Sequence, residues 1–297
     1  MSDTIMKVSK VVLITGCSSG IGRATALRLV SRGHRVVATA RQVSDLDELA
    51  AAGCDVLALD VTDEASMVAA VKTVEAKYGA VGVLVNNAGY SQSGAIEAVP
   101  LDRVRRQFET NVFGLVRLTQ LVLPGMRRQG FGRVINLSSM GGKLTFPGGG
   151  YYHATKHAVE AISDALRFEV QGFGIKVVLI EPGLIRTGFS EAAVGSMGPN
   201  TADEVYGEFH QAVAKATKDS YETGPLARMA GTPDDVAAAI ERAITASAPR
   251  ARYTVSASAT VLLTQRKLLS DRVWDWFLGA NFPIPGAAEK RRAASRT

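Results

Sequence analysis

The sequence predicts an α/β fold: a single doubly wound parallel sheet with helices on both faces and a small helical lobe at the C-terminal end. Three observations lead to it. Short β-branched runs recur as continuous apolar stretches, not alternating ones, as strands buried on both faces do. Each run is followed by apolar residues at helical spacing. Five or six such strand–helix units follow one another with no internal repeat and no low-complexity linker. The 297 residues therefore read as one domain, although the length alone allows two.

Val11-Val12-Leu13-Ile14 is the first strand, stopped by a glycine-rich turn. Residues 20–32 carry Ile21, Ala24, Leu27 and Val30 at helical spacing, and Gly33 is placed to end that helix. The second strand is His34 to Thr39. Further buried runs are Val56–Leu59, Val81–Val85, Val134–Leu137 and Lys176–Ile180, with helices expected at 63–78, 101–128 and 151–171 between them. The pattern changes after about residue 183. Gly183 to Met229 is rich in Gly, Ser, Thr and charge, with one helix expected at 202–218. A stretch of this length with no strand reads as a binding loop, about 184–230, and closure over a bound molecule is its natural motion. Thr232 with Pro233 behind it opens a helix to about Ala246. A last strand is expected at Arg252–Val255. The final helix, 262–279, carries Leu263, Leu268, Leu269, Val273, Trp274 and Phe277 and is expected to pack as a lobe over the core.

Composition excludes several classes. With 46% apolar and 21% charged residues, neither wholesale disorder nor a fibrous protein fits. Much of the excess behind the net charge of +6 sits in a short tail, Lys290, Arg291, Arg292 and Arg296. The other basic residues are scattered among acids, so no nucleic-acid footprint is expected. Cys17 and Cys54 cannot make a disulfide framework. Residues 1–9 lack the apolar core of a secretory signal, and no run approaches the roughly eighteen apolar residues of a spanning helix. A cytoplasmic protein is the expectation.

Thr15-Gly16-Cys17-Ser18-Ser19-Gly20-Ile21-Gly22 follows the first strand and opens the first helix. Glycines there let the backbone approach a pyrophosphate, whose charge the helix N-terminus favours. The candidate contacts are Gly16, Ser18, Ser19, Gly20, Ile21 and Gly22. A carboxylate at the end of the second strand would bind ribose hydroxyls and favour NAD. This strand instead runs Val36-Val37-Ala38-Thr39-Ala40-Arg41. A guanidinium pairs with a ribose phosphate, which favours NADP(H); a solvated Arg41 leaves NAD(H) open. Arg23, in the first helical turn, has an equal claim to the phosphate and to water.

Tyr152-His153-Ala154-Thr155-Lys156 places a phenol and an ammonium on one helix face, about 6 Å apart along the axis. A free phenol titrates at about pH 10, and a nearby ammonium is expected to lower that by about one to three pH units. Two strands end nearby in small polar turns, Val134–Leu137 in Ser138-Ser139 and Val81–Val85 in Asn86-Asn87-Ala88-Gly89. Ligands of parallel sheets sit at such carboxyl ends. Asn111 is a poor helix former amid Val112, Phe113 and Leu115, which points to a task for its amide. His153 and His157 have a metal-like spacing, but no third ligand follows, so no metal is expected. Cys17 reads as a small filler behind the loop.

With these motifs the chain resembles the classical short-chain dehydrogenase/reductase family over roughly residues 10–190. Thr15 to Gly22 is similar to that family's TGxxxGIG, and Asn86–Gly89 to its NNAG turn. The resemblance implies a Rossmann fold. It also implies an adenine contact at Asp60 and Val61, cofactor-bordering positions at Asn87, Ala88 and Gly89, and a nicotinamide-end segment at Pro182, Gly183 and Thr187. The implied catalytic set is Asn111, Ser139, Tyr152 and Lys156. Ser139 is preferred to Ser138, and Tyr152 to Tyr151, on the family's spacing. In the family's chemistry hydride passes between NADP(H) and a carbonyl carbon while the tyrosine moves the proton and the serine steadies the oxygen. The lysine tunes the tyrosine and holds the ribose, so Tyr152 and Lys156 also count as cofactor contacts, and the asparagine positions a water. The run from Lys156 through Glu160, with Glu181-Pro182-Gly183, is most similar to the hydroxysteroid and retinol dehydrogenase branch. Tyr90, Met140, Phe146, Leu184 and Phe189 are expected on the substrate side, which suits a bulky hydrophobic alcohol or ketone. Family habit implies a homodimer or homotetramer. The alternatives are an NADP(H)-binding regulatory or structural protein without turnover, an NAD-dependent alcohol dehydrogenase, and an epimerase of the extended relatives.

Overall fold

Seven strands, β1 (Val12–Ile14), β2 (Val36–Ala40), β3 (Asp55–Ala58), β4 (Val83–Asn86), β5 (Gly132–Leu137), β6 (Ile175–Pro182) and β7 (Arg252–Val255), form one parallel sheet. Their order is β3–β2–β1–β4–β5–β6–β7. The computed structural model describes residues 8–197 and 205–286. The basic tail, residues 1–7 and the start of the expected 202–218 helix lie outside the described residues. Val12 pairs with Val36 on one side and Val83 on the other. The winding reverses between β1 and β4, and a crevice opens there at the carboxyl ends of the strands.

Successive strand residues serve two different cores, which is why the runs are apolar throughout. Val12 and Ile14 join Val85, Ile135 and Ile180 on one face, covered by Leu29 of α1 (Gly20–Ser31) and Ile240 of α9 (Pro233–Thr245). Leu13 joins Leu84, Val134 and Val177 on the other. That face is covered by Val71 of α3 (Glu64–Tyr78), Leu118 and Val122 of α5 (Gly114–Arg128) and Val170 of α6 (Gly150–Val170). The remaining helices are α2 (Asp47–Ala51), α4 (Leu101–Phe108), α7 (Phe189–Gly195), α8 (Gly207–Glu222), α10 (Ala257–Leu268) and α11 (Asp271–Asn281). Thr232 caps α9 in a reciprocal box with Asp235, with Pro233 in the first turn, so that signal was local and complete.

Three helices differ from the sequence expectation. The single helix expected at 101–128 is two α-helices joined by a π-helical turn, Glu109–Phe113. Asn111 sits in that turn; such turns gather at functional positions because they re-aim side chains. The helix expected at 202–218 runs as Gly207–Glu222, and a short α7 precedes it in the segment expected to be a loop. The helix expected at 262–279 is α10 and α11, because Leu269 and Ser270 are extended between them. Apolar spacing continues across this break, so periodicity alone does not reveal it.

Among the described residues, no helix is long and apolar enough to cross a membrane.

Candidate active site

The crevice at the carboxyl ends of the strands is a cavity of about 1430 Å³. Its floor at one end is the loop between β1 and α1. Gly16 and Gly20 there have φ of +72° and +57°, left-handed values that favour glycine. A Cβ on Gly22 would overlap the Gly16 carbonyl and come within 2.6 Å of Asn87 Nδ2. That amide donates to the carbonyls of Thr15 (2.9 Å) and Gly16 (3.0 Å). Thr15 Oγ1 accepts in return from the backbone N–H groups of Asn87 and Ala88, both at 3.0 Å. The glycine loop and the Asn86–Gly89 turn are therefore one laced unit. Gly22→Ala is expected to cost about 1–3 kcal/mol by overpacking and to weaken nucleotide affinity; a melting curve and an NADPH titration check both.

The loop has the form an anion needs. Ser19 caps α1 without a side-chain hydrogen bond, so the first N–H groups of the helix are left to a ligand. A Cβ on Gly20 would meet only the Thr187 side chain, at 3.6 Å, so this glycine faces the gap between the loop and the Thr187 segment. Ser18, Ser19, Ile21, Pro182 and Gly183 line the same cavity. These residues fit a dinucleotide.

Arg41, Asp60 and Val61 line the far end. Arg41 is exposed and, among the described residues, makes no salt bridge. Of the two positions left open for it, Arg23 takes the solvent one: it is exposed and pairs with Glu48 at the surface. Asp60 Oδ1 accepts from the Thr62 N–H (2.9 Å) and hydroxyl (2.8 Å), shaping the turn beside Val61. Asp45, which sequence reading missed, lines this end too. No motif marks it; it arrives through the 3₁₀ turn Val43–Leu46.

At the other end α6 carries Tyr152 and Lys156. Lys156 Nζ lies 5.7 Å from the Tyr152 ring centroid and donates to the Leu137 carbonyl at 2.7 Å. Ser139 Oγ accepts from the Gly141 N–H at 3.1 Å, which fixes it at the head of the turn Met140–Gly142. Asn111 spans Tyr90, accepting from its N–H (3.0 Å) and donating to its carbonyl (2.9 Å), and also donates to Thr155 Oγ1 (3.1 Å). Gly89 lets Asn111 and Lys156 converge: its Cβ would stand 3.1 Å from Asn111 Oδ1 and 3.8 Å from Lys156 Nζ.

The expected lowering of the Tyr152 pKa is corrected here. Burial pushes it up to about 12, with a Ser139 hydrogen bond acting the other way. Lys156 faces a backbone carbonyl, not the phenol oxygen, and burial pulls its own pKa down to about 8 while Glu160 opposes. Desolvation, invisible in a sequence, outweighs the i,i+4 charge here. Burial likewise holds His153 down to about 4. Its ring packs edge-on to Tyr152 at 5.7 Å, and Nδ1 accepts from the Phe146 N–H at 3.3 Å. His157 bonds the His153 carbonyl. Among the described residues no three His, Cys, Asp or Glu side chains form a metal-binding group. Cys17 is buried behind the loop, its thiol pushed up to about 12.

Tyr90, Met140, Phe146, Leu184 and Phe189 all line the cavity, and Phe189 packs 5.4 Å from Tyr152. Sequence reading missed the rest of this wall: Val213 and Tyr221 from α8, Leu262 from α10, and Phe277 and Phe282 at α11. The C-terminal aromatics are thus not packing alone. Trp274 is buried against Phe146 at 5.7 Å and Phe277 at 5.3 Å, and it braces the residues that face the cavity. Their helical spacing was the only available signal, and it is the same for core and for pocket.

A dinucleotide loop joined to such a cleft defines a class, and the sequence profile of the short chain dehydrogenase family matches residues 10–196. The chain belongs to that family, oxidoreductases that act on CH–OH and C=O groups. It is 37% identical over 279 residues to the uncharacterized oxidoreductase YusZ of Bacillus subtilis, covering 91% of this chain and 97% of that one. It is 37% identical over 273 residues to the NADPH-dependent 3-dehydrocapnine reductase of Ornithobacterium rhinotracheale, with coverages of 89% and 94%. With the 3-ketodihydrosphingosine reductase of Bacteroides thetaiotaomicron it shares 42% over 182 residues, covering 61% and 66%. The fold is similar to the crystal structure of a short-chain dehydrogenase from Streptomyces avermitilis, with a TM-score of 0.76, 39% identity and coverages of 88% and 93%.

Proposed function

We propose that this protein is an NADP(H)-dependent oxidoreductase that interconverts a carbonyl and an alcohol on a bulky hydrophobic molecule. One observation carries the reading: Ser139, Tyr152 and Lys156 line the same cavity as the glycine loop, between Arg41 at one end and an apolar wall at the other. A bound nicotinamide supplies or accepts the hydride. The Tyr152 hydroxyl gives its proton to the carbonyl oxygen in reduction and takes it back in oxidation. Ser139, held by the Gly141 N–H, steadies that oxygen. Lys156 holds the nicotinamide ribose and places a positive charge beside the phenol. Asn111 fixes Tyr90 and Thr155 around that pair, and in this reading it orders a water between Lys156 and bulk solvent.

The substrate class rests on the wall of Phe146, Leu184, Phe189, Leu262 and Phe277, which suits a steroid, a retinoid or a long aliphatic ketone. Two relatives named as reductases, of 3-ketodihydrosphingosine and of 3-dehydrocapnine, support the aliphatic ketone among these. Pairing of this chain with itself belongs to the same proposal, supported by exposed Phe113 at the end of the π turn and exposed Phe168 on α6.

Asp45 favours a second reading, NAD(H), because a carboxylate at this end repels a ribose phosphate. Fluorescence titration with NADPH and NADH side by side decides between them. The expected result is NADPH preferred by about tenfold or more, with the gap closing in Arg41→Ala, as loss of one charge-assisted fork implies. Equal affinities in the wild type would give the cofactor to NAD(H).

A further inference from the structure

Below the Tyr152–Lys156 pair lies a group of buried charges that the chemistry above leaves unused. Glu160, one turn beyond Lys156 on α6, is 4% exposed. Its Oε2 meets Arg252 of β7 at 2.9 Å and Lys143 Nζ at 3.0 Å, while its buried Oε1 has no hydrogen-bond partner. Lys143 follows the turn that Ser139 heads. Arg252 also reaches Asp164 (2.7 Å) and Glu181 (3.2 Å). Asp164 is further paired with Arg167 at 2.5 Å. Glu181 accepts from Thr254 Oγ1 at 3.0 Å and immediately precedes Pro182-Gly183. Gly142 shows how tightly this layer adjoins the pair: its Cβ would lie 2.9 Å from Glu160 Cγ and 3.1 Å from the Lys156 carbonyl.

A carboxylate held in place by two cations is an expensive object to bury, and a cluster serving only to tie β7 to α6 would not need it beside a catalytic turn. Glu160 meets Lys143 and Arg252 directly, and Arg252 links it to Asp164 on its own helix and to Glu181. The Lys156 ammonium meets the Leu137 carbonyl and the Tyr152 ring, and Glu160 is the charged group one helical turn beyond it. We propose that Glu160 is a positioning residue for Lys156: its fixed carboxylate keeps the ammonium protonated in a site that otherwise strips the proton, and Lys143 sets how strongly. The inference rests on the reading that Lys156 holds bound nucleotide. Burial acts on Lys156 in the deprotonating direction and Glu160 in the opposite one, which gives the sign of every test.

NADPH affinity measured by fluorescence from roughly pH 6.5 to pH 10 follows the Lys156 proton. In the wild type it falls as pH rises through the Lys156 pKa. Glu160→Gln removes the supporting charge and moves the midpoint of that fall down by about half a pH unit or more. Lys143→Met removes a cation that masks Glu160 and moves the midpoint up. Opposite shifts from two neighbouring residues are not an effect that loosened packing produces. Superposed midpoints, shifts of one sign, or a uniform loss of affinity at every pH overturn the proposal. Lys143 is 39% exposed, so Lys143→Met decides alone if Glu160→Gln does not fold. Lys156→Met separates the two levels of inference. Its curve is flat if Lys156 is the titrating group, and if it keeps the wild-type fall then the reading of the site fails, whatever Glu160 does.

Discussion

Tyr152→Phe is expected to lower kcat/KM for ketone reduction by roughly 10²–10⁴ and to leave NADPH affinity within about twofold of wild type. The substitution removes one hydroxyl and keeps the ring, whose packing against Phe189 at 5.4 Å and His153 at 5.7 Å holds the position in shape. At about 1.4 kcal/mol per decade, the loss is about 3–6 kcal/mol of transition-state stabilisation. Because burial keeps the phenol protonated to about pH 12, the free protein offers a proton donor at neutral pH. Oxidation of an alcohol needs the opposite form, so its rate is expected to rise with pH more steeply than that of reduction. Steady-state kinetics in both directions with a panel of hydrophobic ketones and alcohols, alongside cofactor titration, measures all of this. Full turnover in the variant would remove Tyr152 from the chemistry. Lost NADPH affinity would make it a binding residue.

Lys156→Met is expected to abolish turnover and yet stabilise the fold. The folded-state pKa of Lys156 falls from 10.5 to about 8. Between those values the unfolded chain holds the extra proton, so the wild type gains stability as pH rises through this window. Below it the buried ammonium costs about 3 kcal/mol, at about 1.4 kcal/mol per pH unit. Methionine removes that cost but leaves the buried Leu137 carbonyl without its 2.7 Å donor, a loss of about 1 kcal/mol. The net gain near pH 7 is about 2 kcal/mol, a rise of several degrees in Tm for a chain of this size. The gap closes, and then reverses by the carbonyl's share, as pH passes about 10.5. Thermal melts across that range check it; a variant less stable at neutral pH would show that the ammonium's contacts outweigh its desolvation. A group that weakens the fold while completing a site is a usual source of conflict between stability and activity.

Which parts of this were legible in the sequence follows from whether the signal is local. The run Val11–Ile14 needs no partner to be read as a doubly buried strand, and a cap such as Thr232-Pro233 is complete within four residues. The glycine loop is legible for the same reason, since Gly22 is demanded by its own turn and by Asn87. Tyr152 and Lys156 share a helix face by arithmetic. What was not legible depends on partners distant in the chain. Phe277 and Phe282 close the cavity only because α10 and α11 fold back from β7, and Trp274 looks the same in sequence whether it braces a pocket or fills a core. Arg23 is taken by Glu48, twenty-five residues on. The direction of the Tyr152 shift depends on burial, to which Phe189, thirty-seven residues on, contributes by packing against the ring. The break at Leu269-Ser270 hides inside an unbroken apolar spacing.

The π turn at Glu109–Phe113 also governs which changes of length the chain tolerates. Before it, Gln107 donates to the Tyr90 carbonyl at 3.2 Å, and Arg103 and Arg106 border the cavity. After it, Leu118 and Val122 enter the sheet core. A regular helix turns by about 100° per residue, so the wide turn works as a phase shifter between two stretches that answer to different neighbours. Deleting one residue there would restore regular winding and force a choice. Either Asn111 would swing away from Tyr90 and Thr155, or Leu118 and Val122 would leave the core. Insertions and deletions are absorbed in surface loops elsewhere in such folds; in this helix a single residue is a change of wiring.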